Sequence, residues 1–216
     1  MLYKKRGKPY KLRVMELLQY RIVLTSEGRK ELSNQESGYT GECSLDTMTG
    51  ELTCDCLVLN DVPLILNGTE FQIDALIITP DEVGLYEVKN YKGEYFYNDG
   101  FFEGVHSDLS FHSPTERVNR HTSLLRSLLK KHHFAIPIKQ YVVFIHPEFI
   151  RGVSEKTSGF NRGMNHVSDA RCCIPLIGFG HIARPLLSIR PLPCWQNSFQ
   201  TTKSLSRVLV WFPEIA

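Results

Sequence analysis

The stretch Phe71–Tyr97, FQIDALIITPDEVGLYEVKNYKGEYFY, decides how this chain is read. Two runs within it, Phe71–Thr79 and Val83–Asn90, are rich in β-branched and aromatic residues and flank a turn composition at Thr79–Glu82. They read as two paired strands. Successive side chains of a strand point to opposite faces, so Gln72 and Asp74 are expected on one face and Phe71, Ile73 and Ala75 on the other. By the same parity Glu87 and Lys89 share a face of the second strand, with Tyr86 and Val88 opposite. Pairing through the turn then brings Asp74, Glu87 and Lys89 into one cluster.

Working outward, Cys54–Asn60, Glu94–Tyr97 and Phe101–Val105 also have strand composition, with turn signals at Asn67–Gly68 and Asn98–Asp99–Gly100. Residues 70–105 are therefore expected to form consecutive antiparallel strands. Upstream, Leu12, Met15, Leu18 and Ile22 mark the stripe of an amphipathic helix over Leu12–Leu24. A polar stretch, Ser33–Tyr39, precedes Gly41–Asp46, which could open a short helix. Downstream, Ser113 as N-cap, Pro114 at the first helical position and Glu116 in the first turn start a helix whose apolar face is Val118, Leu124, Leu125, Leu128 and Leu129. Gln140–Ile145 is a short apolar run of the kind found in buried central strands. The order helix, three to four strands, helix, strand predicts an α/β fold with a central mixed β-sheet flanked by helices.

Beyond residue 150 neither period persists, and Pro175, Pro185, Pro191, Pro193 and Pro213 interrupt the chain. The expected organisation is an N-terminal helical extension over 1–34, a folded domain over 35–150 and an irregular C-terminal tail over 151–216, either atypical or disordered.

Hydrophobic residues make up 42% and charged residues 22% of the 216, a balance that supports a buried core rather than a disordered chain. The net charge of +2 is too small to indicate a polyanion binder by itself. No apolar run reaches the ~18 residues of a membrane span, and the first residues, MLYKKRGKPYKLR, lack the apolar stretch of a secretory signal, so a cytoplasmic protein is expected. The six cysteines include no C-x-x-C pair, which favours reduced thiols over a structural zinc site.

Two carboxylates with an adjacent ammonium suit phosphodiester hydrolysis. Carboxylates hold Mg²⁺, a hard cation that prefers oxygen ligands, and the metal polarises the phosphate and lowers the pKa of an attacking water. The lysine orients that water or offsets charge in the transition state. An isolated E-x-K is weak, since alternating charges on an exposed strand commonly form a surface ion pair. Here Leu76–Ile77–Ile78 and Leu85–Tyr86 are apolar on both faces, and charges on strands so buried need partners or a metal.

With Q-x-D at Gln72 and Asp74, E-V-K-N at Glu87–Asn90 and the following Gly93, the stretch resembles the core of the nuclease-related domain family, a branch of the PD-(D/E)xK nuclease superfamily. The resemblance extends to Gly41–Glu42, Leu57–Asp61, Ser113–Pro114 and the VVF strand, roughly residues 35–150. It implies a restriction-endonuclease-like core and a Mg²⁺-dependent nuclease, Mn²⁺ being a substitute, acting on nucleic acid and in particular DNA. It further implies Asp74 and Glu87 as metal ligands, Lys89 as the catalytic lysine, Gln72 as a helper beside the site, and Glu42 as a further acidic residue and metal ligand. For Glu42 the alternative is a carboxylate favoured by a helix N-terminus. The competing functional class is a catalytically weak nuclease-like module that binds nucleic acid or a protein partner.

Two basic groups complete the reading. Lys4, Lys5, Arg6, Lys8, Lys11 and Arg13 could touch phosphates, but a frayed, solvated terminus is the plainer expectation. Arg117, Arg120, Arg126, Lys130 and Lys131 on the helix after Pro114 could hold nucleic acid or form an ordinary solvated face. His132 and His133 are expected in an exposed loop.

Overall fold

The structure, a computed structural model, describes residues 1–98, 100–106, 110–152 and 170–173. In chain order its elements are β1 (Leu2–Lys4), α1 (Tyr10–Leu18), α2 (Ser26–Gly50), β2 (Leu57–Leu66), β3 (Thr69–Ile78), β4 (Val83–Lys89), β5 (Gly93–Asn98), β6 (Phe101–Gly104), β7 (Ser110–His112), α3 (Thr115–Lys131), β8 (Ile138–Phe144), β9 (Phe149–Gly152) and β10 (Ala170–Cys173).

Among the described residues these strands form two sheets. The larger runs β1-β2-β3-β4-β8-β10 and is mixed: β2/β3 and β3/β4 are antiparallel, while β1/β2, β4/β8 and β8/β10 are parallel. The parallel β4/β8 step requires a crossover, and α3 lies within it. On one face α3 packs Val118, Leu125, Leu128 and Leu129 against Leu76, Ile78, Leu85, Val142 and Phe144. On the other, Leu45 of α2 packs with Ala75, Ile77, Tyr86, Val88, Val143 and Ile145. The expected α/β architecture of a mixed sheet between helices is therefore present.

The meander expected over 70–105 is not. β4 pairs with β3 and β8, while β5 turns away into a second sheet, β7-β6-β5-β9. Its aromatic residues explain why: Tyr95 and Phe102 join Phe144 and Phe149 of the main core, with Phe144 and Phe149 stacked at 4.1 Å between ring centroids. Burying several rings against the end of β8 outweighs continuing one sheet.

The helices also depart from the local reading. α1 ends at Leu18 and buries Leu12 alone, leaving Ile22 and Val23 exposed in the loop that follows. α2 is 25 residues long, where only a short helix was expected, and it runs through the anticipated boundary at residues 34 and 35. Its polar composition hid it. Thr25 caps its start by accepting from the Gly28 N–H at 3.1 Å. Its Thr40, Ser44 and Thr47 hydroxyls donate to carbonyls four residues back, so these polar side chains are satisfied within the helix. α3 begins at Thr115 with Pro114 as N-cap rather than Ser113, a one-residue offset.

Two features shape the β2/β3 hairpin. Asn67 and Gly68 both have positive φ, as a two-residue type I′ turn demands. Pro63 pairs with Gln72 of β3 on one side and, among the described residues, lies past the end of the short β1 on the other, an edge position that tolerates its missing N–H. Midway along, both strands invert their faces. Leu57 and Leu59, then Val62, Leu64 and Leu66, all face the α3-side core, as do Phe71 and Ile73, then Leu76 and Ile78. Regular alternation cannot place residues 59 and 62, or 73 and 76, on one face. The register stays intact, Asn60↔Ala75 followed by Val62↔Ile73, so the inversion occurs at Asp61 and Asp74 together, with Asp61 at φ 56°. The parity expected around Asp74 is thus broken: Ala75 packs with α2, and Phe71 and Ile73 with α3.

Of the tail expected to be irregular, residues 151–152 complete β9 and residues 170–173 add β10 to the sheet beside β8, and the rest lies outside the described residues. Among the described residues no helix is long and apolar enough to cross a membrane.

Candidate active site

β3 and β4 pair from Ile78↔Val83 to Ala75↔Tyr86, and there the ladder stops. The next positions on the two strands are Asp74 and Glu87. Beyond this fork β3 follows β2, and β4 continues along β8 with Glu87↔Val142 and Lys89↔Phe144. Asp74 Oδ2 accepts from the Val88 N–H at 2.7 Å, so the carboxylate takes the place of a ladder bond where the strands part.

Glu87 is almost fully buried, at 1% exposure. Its Oε1 accepts from Lys89 Nζ at 2.7 Å and lies 3.3 Å from Arg117 Nε of α3. Its Oε2 is buried with no hydrogen-bond partner among the described residues. The same is true of His121 Nδ1, 3.9 Å away, a distance too long for a direct hydrogen bond. Burial lowers the His121 pKa from its ordinary value, favouring the neutral ring at pH 7.

The Asp74 carboxyl is pushed up to about 7, by burial first and by the charge of Glu87 second, against the opposing Val88 hydrogen bond. Glu42 extends from α2, one residue after Gly41. A Cβ at Gly41 would lie 2.6 Å from Asn90 Cβ and 3.0 Å from Ile145 Cγ2, so glycine is what lets the helix approach the end of β4. Burial raises the Glu42 carboxyl, Arg6 opposes the rise, and Asp61, Asp46 and Glu87 add to it. Arg6 Nη1 donates to Glu42 Oε2 at 2.7 Å.

The fork therefore gathers Asp74, Glu87 and Lys89, with Glu42 close enough to share their field. Gln72 is elsewhere: it is exposed on the outer part of the hairpin, and its amide donates to Asp61 Oδ1. Among the described residues, no three His, Cys, Asp or Glu side chains already stand as a set of metal ligands. The donor chemistry still fits a hard divalent cation. Asp74 and Glu87 are two mutually repelling buried carboxylates, one with an orphaned oxygen, and Mg²⁺ is often held by one or two carboxylates with water and substrate phosphate completing the shell.

Residues 37–145, just over half of the chain, match the nuclease-related domain family. The chain belongs to this family. No curated protein and no solved structure matches it. The nuclease-related domain thus spans α2 from Ser37 through β8, and includes the whole fork.

Sequence reasoning missed His121, and it named Arg117 only as a possible nucleic-acid contact without placing it at Glu87. Arg117 and His121 sit one helical turn apart, and His121 follows Val118 and precedes Leu125 at three- and four-residue steps, a spacing that marks it as inward-facing. Arg6 had no local signal. It was expected in a solvated terminus, yet its side chain is 3% exposed, because its acidic partners come from α2 and its carbonyl partner from β3.

Proposed function

We propose that this chain is a metal-dependent nuclease of the cytoplasm that hydrolyses phosphodiester bonds in DNA at the fork between β3 and β4. The observation that carries the reading is the orphaned, buried Glu87 Oε2 beside an Asp74 carboxyl held up near 7. A carboxylate pair this deeply buried costs stability, and such strain is characteristic of sites arranged for a ligand.

Asp74 and Glu87 are the residues to hold Mg²⁺ or Mn²⁺, with Glu42 as a third carboxylate on the α2 side. A bound ion supplies Lewis-acid polarisation of the scissile phosphate. Lys89, fixed by its 2.7 Å bond to Glu87, presents an ammonium to the charge that develops on the phosphate. Arg117, about half exposed, has its Nε at Glu87 and further N–H donors for a phosphate oxygen at the mouth of the site. Exposed Arg120, Arg126 and Lys130 extend the positive surface along α3. Gln72 acts from outside the fork, holding Asp61 at the strand inversion.

The test is incubation of the purified chain with labelled single- and double-stranded DNA and RNA in Mg²⁺, in Mn²⁺ and in chelator, beside Glu87→Gln. Cleavage of DNA that needs the ion and Glu87 is the expected result. Among the described residues no three-ligand set is preassembled, which favours a second reading, a nucleic-acid-binding module with little turnover. Tight DNA binding without cleavage, indifferent to chelator and to Glu87→Gln, would select it.

A further inference from the structure

Arg6 is buried at 3% side-chain exposure and spends four N–H donors on three residues from two elements. Its Nε and Nη2 grip Asp46 Oδ2 and Oδ1, each at 3.0 Å, in a bidentate fork. Nη1 reaches Glu42 Oε2 at 2.7 Å, and Nη2 also reaches the Asp74 carbonyl at 2.8 Å. Two residues earlier, Lys4 Nζ donates to the carbonyls of Asn60 at 3.1 Å and Asp61 at 2.7 Å. These three carbonyls belong to the points where β2 and β3 invert their faces. The strand inversion that turns Asp74 toward Val88 is thus capped, on both strands, by cations from one extended segment that precedes the family match at residue 37.

We propose that the segment Leu2–Arg6 is part of the site, with Arg6 as its positioning residue: the guanidinium sets the Asp74 main chain and the Glu42 carboxylate in one geometry and ties α2 to β3. The role rests on the metal-nuclease reading above, but the positioning can be observed without it. A guanidinium is required because its planar fork makes bonds in several fixed directions, whereas an ammonium at the same place is a point charge on a flexible stem. Burying a cation is tolerable here because two carboxylates and a carbonyl meet it.

The Val88 amide is a direct reporter, since its hydrogen goes to Asp74 Oδ2. Hydrogen exchange is measured on the full chain for the parent, Arg6→Lys, Arg6→Ala and Asp46→Asn, with Lys11→Ala as control, because Lys11 pairs with Glu31 on the surface. Arg6→Lys and Asp46→Asn decide the matter where Arg6→Ala does not fold. The expected result is local: Val88 exchange accelerates by roughly tenfold or more in both, the scale of one lost hydrogen bond to a charged group, while Val142 in the neighbouring strand and the Lys11→Ala control stay unchanged. Unchanged Val88 protection in Arg6→Lys and Asp46→Asn, or equal acceleration at Val88 and Val142, overturns the proposal. In the second arm, Mn²⁺ binding read by its spin-resonance signal weakens several-fold in Arg6→Lys. A parent that binds no Mn²⁺ removes the metal reading and leaves the exchange result to decide Arg6.

Discussion

Replacing Asp74 by Asn removes a charge while keeping an amide oxygen that can still accept from the Val88 N–H. In the metal-free folded protein the Asp74 carboxyl holds its proton up to about 7, whereas an unfolded aspartate releases it near 3.9. Between those values the folded state binds the extra proton, so stability falls as pH rises. This contribution is full below about pH 4 and is lost as pH passes through about 7. At about 1.36 kcal/mol per pH unit, a window of about three units amounts to about 4 kcal/mol. Asn has no such dependence. Chemical denaturation of the parent and Asp74→Asn in chelator, across pH 4 to 8, should give a stability difference that grows in favour of the variant by about 3–4 kcal/mol toward the alkaline end. At neutral pH that is a rise in Tm of roughly 10 °C for a domain of this size. Adding Mg²⁺ should close part of the gap by stabilising the parent, by about 2.7 kcal/mol at a hundredfold excess over Kd, and should leave the variant unmoved. A difference that is flat with pH, or an Asn variant less stable at every pH, would refute the picture of a strained carboxylate pair.

Lys89→Ala should lower cleavage on the order of 10²-fold while leaving calorimetric Mg²⁺ binding largely intact, because an ammonium cannot ligate a cation. Glu87→Gln should abolish both cleavage and the Mg²⁺-dependent rise in Tm, and retention of either would move the metal away from Glu87. Gly41→Ala should destabilise by about 1–3 kcal/mol in urea titration although Ala is the better helix former, since its Cβ would fall 2.6 Å from that of Asn90 and push α2 off the sheet. Cleavage should fall with it as Glu42 moves.

The fork itself was half legible. Glu87 and Lys89 alternate on a strand whose apolar neighbours are all buried, so their shared face could be taken from parity alone, and Lys89 does bond to Glu87. Asp74 reached the cluster for a different reason than parity. The same counting that placed it with Gln72 fails because β2 and β3 invert together at Asp61 and Asp74, and Gln72 remains outside, bound to Asp61. A left-handed Asp61 carries no signature strong enough to announce such an inversion, since Asp tolerates positive φ without requiring it.

Local periodicity and turn chemistry determined what depends on one element at a time: the Asn67–Gly68 hairpin turn, the strands on either side of Thr79–Glu82, the apolar stripe of α3 and the buried run of β8. Tertiary structure alone decided the rest. α2 is helical through a polar stretch because Gly41 and Leu45 find the sheet, and β5 leaves β4 because its aromatics find Phe144 and Phe149. Arg6 is buried because Asp74 stands 68 positions away in sequence and beside it in space. Contacts of that span leave no pattern in the residues around either partner, because the pairing is set by the packing of whole elements and not by the local period of either one.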